Sequence, residues 1–222
     1  MPPTEPHPIR VEIVSDVVCP WCLIGYRQTR AAESRLAGAV RLDITWHPFE
    51  LNPDMPPQGQ GLREHVAEKY GATPAQSAAA RARISALGAD LGFRFAFSDD
   101  SRIVNTFAAH QLLHWAETQG HQTALQEALF AAYFSQGRDV SDPAVLADIA
   151  AEAGLDPVEA AAVLADGRCA DAVRAAEQMW LGRGINGVPA MVFEGTYLVS
   201  GAQSVAGFVT LFERLASGAQ IV

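Results

Sequence analysis

The stretch Ile9-Arg-Val-Glu-Ile-Val-Ser-Asp-Val-Val-Cys-Pro-Trp-Cys22 decides how this chain folds. Its first six residues alternate apolar and polar, the pattern of a strand with one buried face. Ser15 and Asp16 interrupt it. Pro20 then stands where a helix can start, because first-turn N–H groups have no intrahelical partner and proline lacks only what is already unused. The helix is expected over 19–36, with Gly38 just past its end. A strand thus delivers two cysteines, three residues apart, to the opening turn of a helix.

Working outward, 40–46 alternates strictly and reads as a second strand. A proline-rich loop follows over 47–57 and carries His47. From about 61 to 184 no strand is expected. Helices are expected over 62–70, 74–91, 104–119, 121–136, 143–153, 157–165 and 169–183. Thr73-Pro74, Asp142-Pro143 and Asp156-Pro157 are cap-then-proline starts, and Gly92, Gly120, Gly137 and Gly154 are stops. Strand character returns over 189–193 and 196–200, joined at Glu194-Gly195 as a hairpin, and Ser204 caps a last helix over 205–216. Two strands joined through a helix should be parallel by a right-handed crossover, and the closing hairpin must be antiparallel. The expected class is α/β: a mixed sheet built as βαβ then ββα, with helices on both faces and a large all-α insertion between its halves.

The chain has 222 residues, 49% of them hydrophobic, enough for a sizeable core. Its formal net charge of −9, with no Lys/Arg cluster, argues against nucleic acid and anionic membrane surfaces as partners. Met1-Pro-Pro-Thr-Glu-Pro-His-Pro8 has neither a basic nor an apolar region, so it reads as a loose extended tail and not a signal peptide. No apolar run approaches the roughly 20 residues of a membrane span. A cytoplasmic protein is expected. The only cysteines are Cys19, Cys22 and Cys169. In a reducing compartment, a close pair is catalytic or metal-binding before it is structural.

Residues i and i+3 of a helix share a face, so the sulfurs of Cys19 and Cys22 can meet. The helix start concentrates unpaired N–H groups and the positive end of the dipole, which favour a thiolate. Cys19, outermost, benefits most. Cys22, one turn inside, should be more buried. Cys19 is therefore expected to attack and Cys22 to resolve the mixed disulfide. Trp21 would offer a flat apolar contact to a substrate. Two bland readings stand beside this one: inert core cysteines, and half of a zinc site. Zinc needs four ligands. Cys169 and the His110/His114 pair are the other candidates, no second Cys-x-x-Cys exists, and no metal is expected.

The run Ser15-Asp-Val-Val-Cys-Pro-Trp-Cys22 resembles the active site of the DsbA-like thioredoxin-fold oxidoreductases, most of all their FrnE-like subgroup. Gly187-Val-Pro-Ala-Met-Val-Phe193, Ser200-Gly-Ala-Gln203 and Asn105-Thr-Phe-Ala-Ala-His110 resemble the same subgroup. The resemblance implies a thioredoxin-fold domain over 9–57 and 170–222 and an inserted helical domain over 58–169. It implies a cis Pro189 against the Cys19 sulfur, with Pro20 and Trp21 supporting the site. The Val188 backbone would then pair with a substrate chain by strand addition. Asn105 and His110 would line the cleft and bind substrate. The implied activity is disulfide exchange with proteins or low-molecular-weight thiols. No cofactor is implied beyond the Cys19–Cys22 disulfide itself, and glutathione is a candidate co-substrate. The alternative is a glutathione-dependent transferase or isomerase of the kappa-class or hydroxychromene carboxylate isomerase type. Those typically use serine where this chain has Cys19, and an acidic residue where it has Ala202-Gln203. Asp16 is expected either to oppose a Cys19 thiolate by its charge or to cap a turn. His47 is expected in a solvated loop or, alternatively, beside the thiolate. Cys169 is expected to be a small buried hydrophobe or a free surface thiol.

Overall fold

Strand β1 (His7–Ser15) runs through the middle of the sheet and sets everything around it. It pairs in parallel with β2 (Val40–Pro48) along its whole length and antiparallel with β5 (Ala190–Phe193) from Val11 to Val14. β5 pairs antiparallel with β6 (Tyr197–Ser200), so the order is β2-β1-β5-β6. This computed structural model describes residues 5–98 and 100–219. Half of the expected extended tail, Met1 to Thr4, lies outside the described residues, as does Asp99.

The alternation in β1 sorts its side chains between two layers. Ile9, Val11 and Ile13 bury themselves against α1 (Pro20–Arg35) and α9 (Val205–Ala216), whose Phe208 and Phe212 complete that core. Val14 faces the other way, with Ala190, against Trp180 of α8 (Ala170–Gly182). Helices α4 (Phe107–Thr118), α5 (Gln122–Gln136), α6 (Pro143–Glu152) and α7 (Pro157–Asp166) form a second buried cluster around Leu112, Leu125, Leu146 and Val163. Val17 and Val18, from the turn before Cys19, are buried in this second cluster and not in the first. The turn that carries the cysteines is thus wedged between the sheet and the helical block.

The caps act where cap chemistry places them. Thr73 and Gln76 form a reciprocal capping box at the start of α3 (Pro74–Asp90). Asp142 accepts from Ala144 N, Asp156 from Val158 N and Ser204 from Gly207 N.

Most boundaries fall within a residue of expectation, and four features differ by more. β1 starts at His7, ahead of the expected Ile9: Pro8 lacks an N–H but sits where β5 has not yet begun, so no ladder donor is missed. β2 continues through His47 and Pro48. His47 is consequently a half-buried strand residue with its ring 4.8 Å from that of Trp180, neither loop nor site. The stretch expected to hold no strand contains a ribbon, β3 (Gln60–Gly61) against β4 (Arg102–Ile103). Two-residue strands are too short to show a period. Gly59 permits the close approach there, since a Cβ at that position would stand 2.5 Å from the Ile103 carbonyl oxygen. Because β4 and an irregular segment occupy residues 102–106, α4 begins at Phe107 and not at Val104. The helix between the ribbon strands, α2 (Leu62–Tyr70), precedes α3 as expected.

Candidate active site

Cys19 is the N-cap of α1, with extended backbone, and Pro20 follows at the first helical position. Its N–H donates to Asp16 O at 3.1 Å, closing the turn. The Asp16 carboxylate holds the same turn from below: Oδ1 accepts from Val18 N at 3.4 Å and Oδ2 from Leu51 N at 2.7 Å. Both cysteines of the motif are free thiols. The Cys19 sulfur lies 3.7 Å from Val188 O, across from α1, and the Val188–Pro189 bond is cis. Cys22 is fully buried. Burial pushes its thiol well up, and the hydrogen bond and charge of Cys19 push the same way, against smaller opposing effects from the Ser15 hydroxyl and the Asp16 backbone. Cys22 is therefore held protonated beside Cys19.

Behind the turn lies a buried charge network. His110 Nε2 stands 3.7 Å from Asp16 Oδ1, too long for a hydrogen bond, so the pair acts through charge. Burial pulls the His110 imidazole down, but Asp16, with Glu177 and Glu50 beyond it, outweighs burial and holds it above the usual histidine range. Glu50 accepts from Arg174 Nη1 at 3.0 Å and from Asn105 Nδ2 at 3.1 Å, and its backbone N–H donates to Glu177 Oε1 at 3.2 Å. Burial raises both Glu50 and Glu177 above the usual carboxylate range; His110 and Arg174 work against that. The Arg174 guanidinium also sits 3.9 Å over the Phe107 ring. Among the described residues, no group of three or more His, Cys, Asp and Glu is gathered as a metal cage would require.

In front of the turn, a cavity of about 610 Å³ opens on Cys19. Cys19, Trp21, Leu51 and Val188 lie at one end. Most of the remaining wall comes from α2, α3, β4, the aromatic end of α5, and residues around Phe97 and Arg138.

A parallel strand pair around a crossover helix, a Cys-x-x-Cys at that helix's start and a cis-proline opposite it now stand together. Residues 10–213 match the DSBA-like thioredoxin domain. The chain belongs to that family. A crystal structure of a probable DsbA oxidoreductase from Streptomyces coelicolor is similar over 96% of this chain and 92% of its own, at 34% identity and a TM-score of 0.88. A cytosolic disulfide reductase, DsbM, from Pseudomonas aeruginosa is similar over 95% of this chain and all of its own, at 21% identity and a TM-score of 0.65. A 2-hydroxychromene-2-carboxylate isomerase is similar over 94% of this chain and 97% of its own, at 14% identity and a TM-score of 0.65. The last two share the fold. No helix among the described residues is long and apolar enough to cross a membrane.

On this DsbA-like frame, Cys19, Pro20, Trp21 and Val188 all line the cavity, and Cys22 and Pro189 lie buried next to them. Asn105 and His110, expected in the cleft, are not in its lining. Asn105 uses its amide to hold Glu50 and Pro53 O and its carbonyl to accept from Phe107 N. His110 is only 3% exposed, behind the turn. Of the two expectations for Asp16, turn capping is what its hydrogen bonds do. Cys169 is buried at the start of α8, within the second cluster, where burial raises its thiol. Sequence reading missed Glu50, Arg174 and Glu177. Only the Arg174/Glu177 pair at i,i+3 carries a local signal, and that spacing is common to any solvated helix face.

Proposed function

We propose that this DsbA-like chain is a dithiol–disulfide oxidoreductase in which Cys19 exchanges with substrate and Cys22 resolves. One observation carries the reading: Cys19 ends a strand-to-helix turn with its sulfur facing both Val188 O and the cavity, while Cys22 is sealed one turn inside. A Cys19 thiolate attacks one sulfur of a substrate disulfide. The Cys19–substrate bond forms as the substrate S–S bond breaks, and the departing thiolate takes a proton from water. Cys22 then attacks the Cys19 sulfur, and its proton passes to the second departing substrate sulfur. Two electrons move from the dithiol to the substrate, and the reverse sequence oxidises a dithiol. The elevation of Cys22 serves this order. Burial is the larger cause of the rise, and the smaller part that Cys19 contributes is lost once Cys19 is in a mixed disulfide, which favours attack by Cys22 at that stage.

Val188, just before β5, is suited to guide the substrate backbone past Cys19. Trp21 supplies an apolar surface at the same place. The FrnE-like subgroup, a cytoplasmic location and glutathione as co-substrate belong to the same proposal. Three cysteines in 222 residues suit a reducing compartment. The division into a thioredoxin unit (9–57 and 170–222) and an inserted unit (58–169) is also proposed, on the strength of the four-stranded sheet, whose strands fall in the first unit.

The test is trapping. Cys22→Ser should accumulate adducts at Cys19, seen on non-reducing gels and mapped by mass spectrometry. Cys19→Ser should abolish both turnover and adducts. Full activity of Cys22→Ser without adducts, or adducts on Cys169, would refute the mechanism. Retained activity of Cys22→Ser only with glutathione would point to monothiol chemistry.

A further inference from the structure

The cavity in front of Cys19 has a wall that disulfide exchange alone does not need. Its body is apolar: Leu62 and Val66 from α2, Ile84 from α3, Ile103 from the ribbon, and Phe97 and Phe134 at the far side. Phe97 stacks on Phe95 with centroids 5.3 Å apart and meets Phe134 edge-on, which makes that side a rigid aromatic wall. Tyr70, 64% exposed, extends the apolar surface at the lining. Cys19 itself is only 3% exposed, and it lines this cavity. At about 610 Å³ the space lies inside the range of roughly 300–1,000 Å³ typical of small-molecule sites.

The lining also carries three cations. Arg138 pairs with Glu152 and Arg102 donates to Gln58 O. Neither Arg102 nor Arg81 has a carboxylate within ion-pair distance among the described residues, but Arg102 is exposed, whereas Arg81 is half-buried and donates to the Ser77 hydroxyl at 2.8 Å. Two carboxylates, Asp100 and Asp139, reach the lining elsewhere. In a chain of net charge −9, a half-buried guanidinium without a carboxylate partner is a place for a ligand's anion.

We infer that the substrate of this site is a low-molecular-weight disulfide, or the matching thiol, with an aromatic or bulky apolar body that fills the cavity and an anionic group that meets Arg81. This rests on the reading of Cys19 as the attacking sulfur. The balance is that already described: the Cys19–Cys22 dithiol gives two electrons to R–S–S–R, leaving the protein disulfide and two R–SH, and dithiothreitol restores the dithiol between turnovers.

The test separates cavity from chemistry. Single-turnover reduction by the pre-reduced protein is followed for four oxidants: 5,5′-dithiobis(2-nitrobenzoate), neutral 4,4′-dithiodipyridine, small polar hydroxyethyl disulfide and insulin. Ala80→Trp, at an exposed α3 position that lines the cavity, fills it without touching the core. It should slow both aryl disulfides by at least about tenfold, the scale of a lost pocket contact, and leave hydroxyethyl disulfide within about twofold. Arg81→Gln should slow the nitrobenzoate disulfide and spare the neutral pyridyl one. Binding is read independently in the Cys19→Ser/Cys22→Ser double variant, which cannot exchange. It should bind 8-anilinonaphthalene-1-sulfonate, an aromatic anion, at one saturable site that Ala80→Trp abolishes. Unchanged aryl rates in Ala80→Trp, or equal slowing of insulin, would overturn the small-molecule assignment while leaving the dithiol mechanism intact. Full exchange by the double variant would instead overturn the mechanism, with the binding result standing by itself.

Discussion

Cys19 and Cys22 differ by one helical turn, and that turn changes what surrounds each sulfur. One faces a cavity and a carbonyl; the other is packed against β1 and the turn that precedes it. The residues behind them are equally specific. His110 is held above the usual histidine range because Asp16, Glu50 and Glu177 converge on it. A histidine whose folded value lies above its unfolded value of about 6.5 stabilises the fold fully below that pH, and the contribution is lost as pH rises through the folded value. The wild type should therefore lose more stability than His110→Gln between pH 6 and pH 9, read as the difference in urea midpoints. His47 and His65, which burial lowers, contribute the opposite slope, stable at high pH and lost as pH falls. Both proteins carry them, so they cancel in the comparison. A wild-type advantage that shrinks toward low pH, or does not change with pH, would show that Asp16 does not hold a charged His110.

At the scale of elements, the site depends on how closely α1 approaches β5. Gly25, in the second turn of α1, makes this approach possible: a Cβ there would lie 3.0 Å from Met191 Cε and 3.3 Å from Pro189 Cγ. The Met191 end can move, whereas the Pro189 ring is confined by the turn that faces Cys19. Gly25→Leu should cost about 1–3 kcal/mol by overpacking and displace the 187–189 segment from Cys19. Thermal unfolding measures the first effect, and the exchange rate of the reduced protein measures the second. A variant as stable as the wild type would mean that α1 and β5 are not held in this contact. The ribbon β3–β4 is the other decisive element. Its Arg102 and Ile103 line the cavity, and its four residues are too few to display a strand's alternation.

For the whole molecule, the main fact is that the active-site turn belongs to two cores. Val17 and Val18 are buried among α4–α7, whereas Cys19 and Cys22 are buried with the sheet, α1 and α9. Loosening one core should therefore be felt in the other. Val17→Ala removes apolar volume more than 90% shielded from solvent in the helical cluster and should destabilise the protein by about 2 kcal/mol. It should also slow exchange at Cys19, because the turn loses its anchor. The comparable deletion Val163→Ala, in the same cluster but away from the turn, should cost similar stability and leave exchange unchanged. Equal kinetic effects of the two would show that the turn is not specifically coupled to the helical block.

What the amino-acid sequence determined by itself was whatever depends on a few neighbouring residues. The alternation of 9–14 made a strand, Pro20 and the cysteine spacing put two cysteines at a helix start, and Thr73, Asp142, Asp156 and Ser204 opened the helices that their side chains cap. These signals are local because hydrogen bonds within a turn and the pleat or pitch of an element reach only a few positions. What only the tertiary structure decided was the company these residues keep. Glu50 and Arg174 are 124 positions apart and meet within 3.0 Å, and Asp16 meets the Leu51 N–H 35 positions away. Asn105 and His110, grouped by motif with the cleft, instead build the charge network behind it. The cavity assembled from α2, α3, the ribbon and α5 has no periodic trace, because its shape comes from elements packed against one another. Long-range packing of this kind is set by the fit of whole surfaces, and no short stretch of the chain carries it.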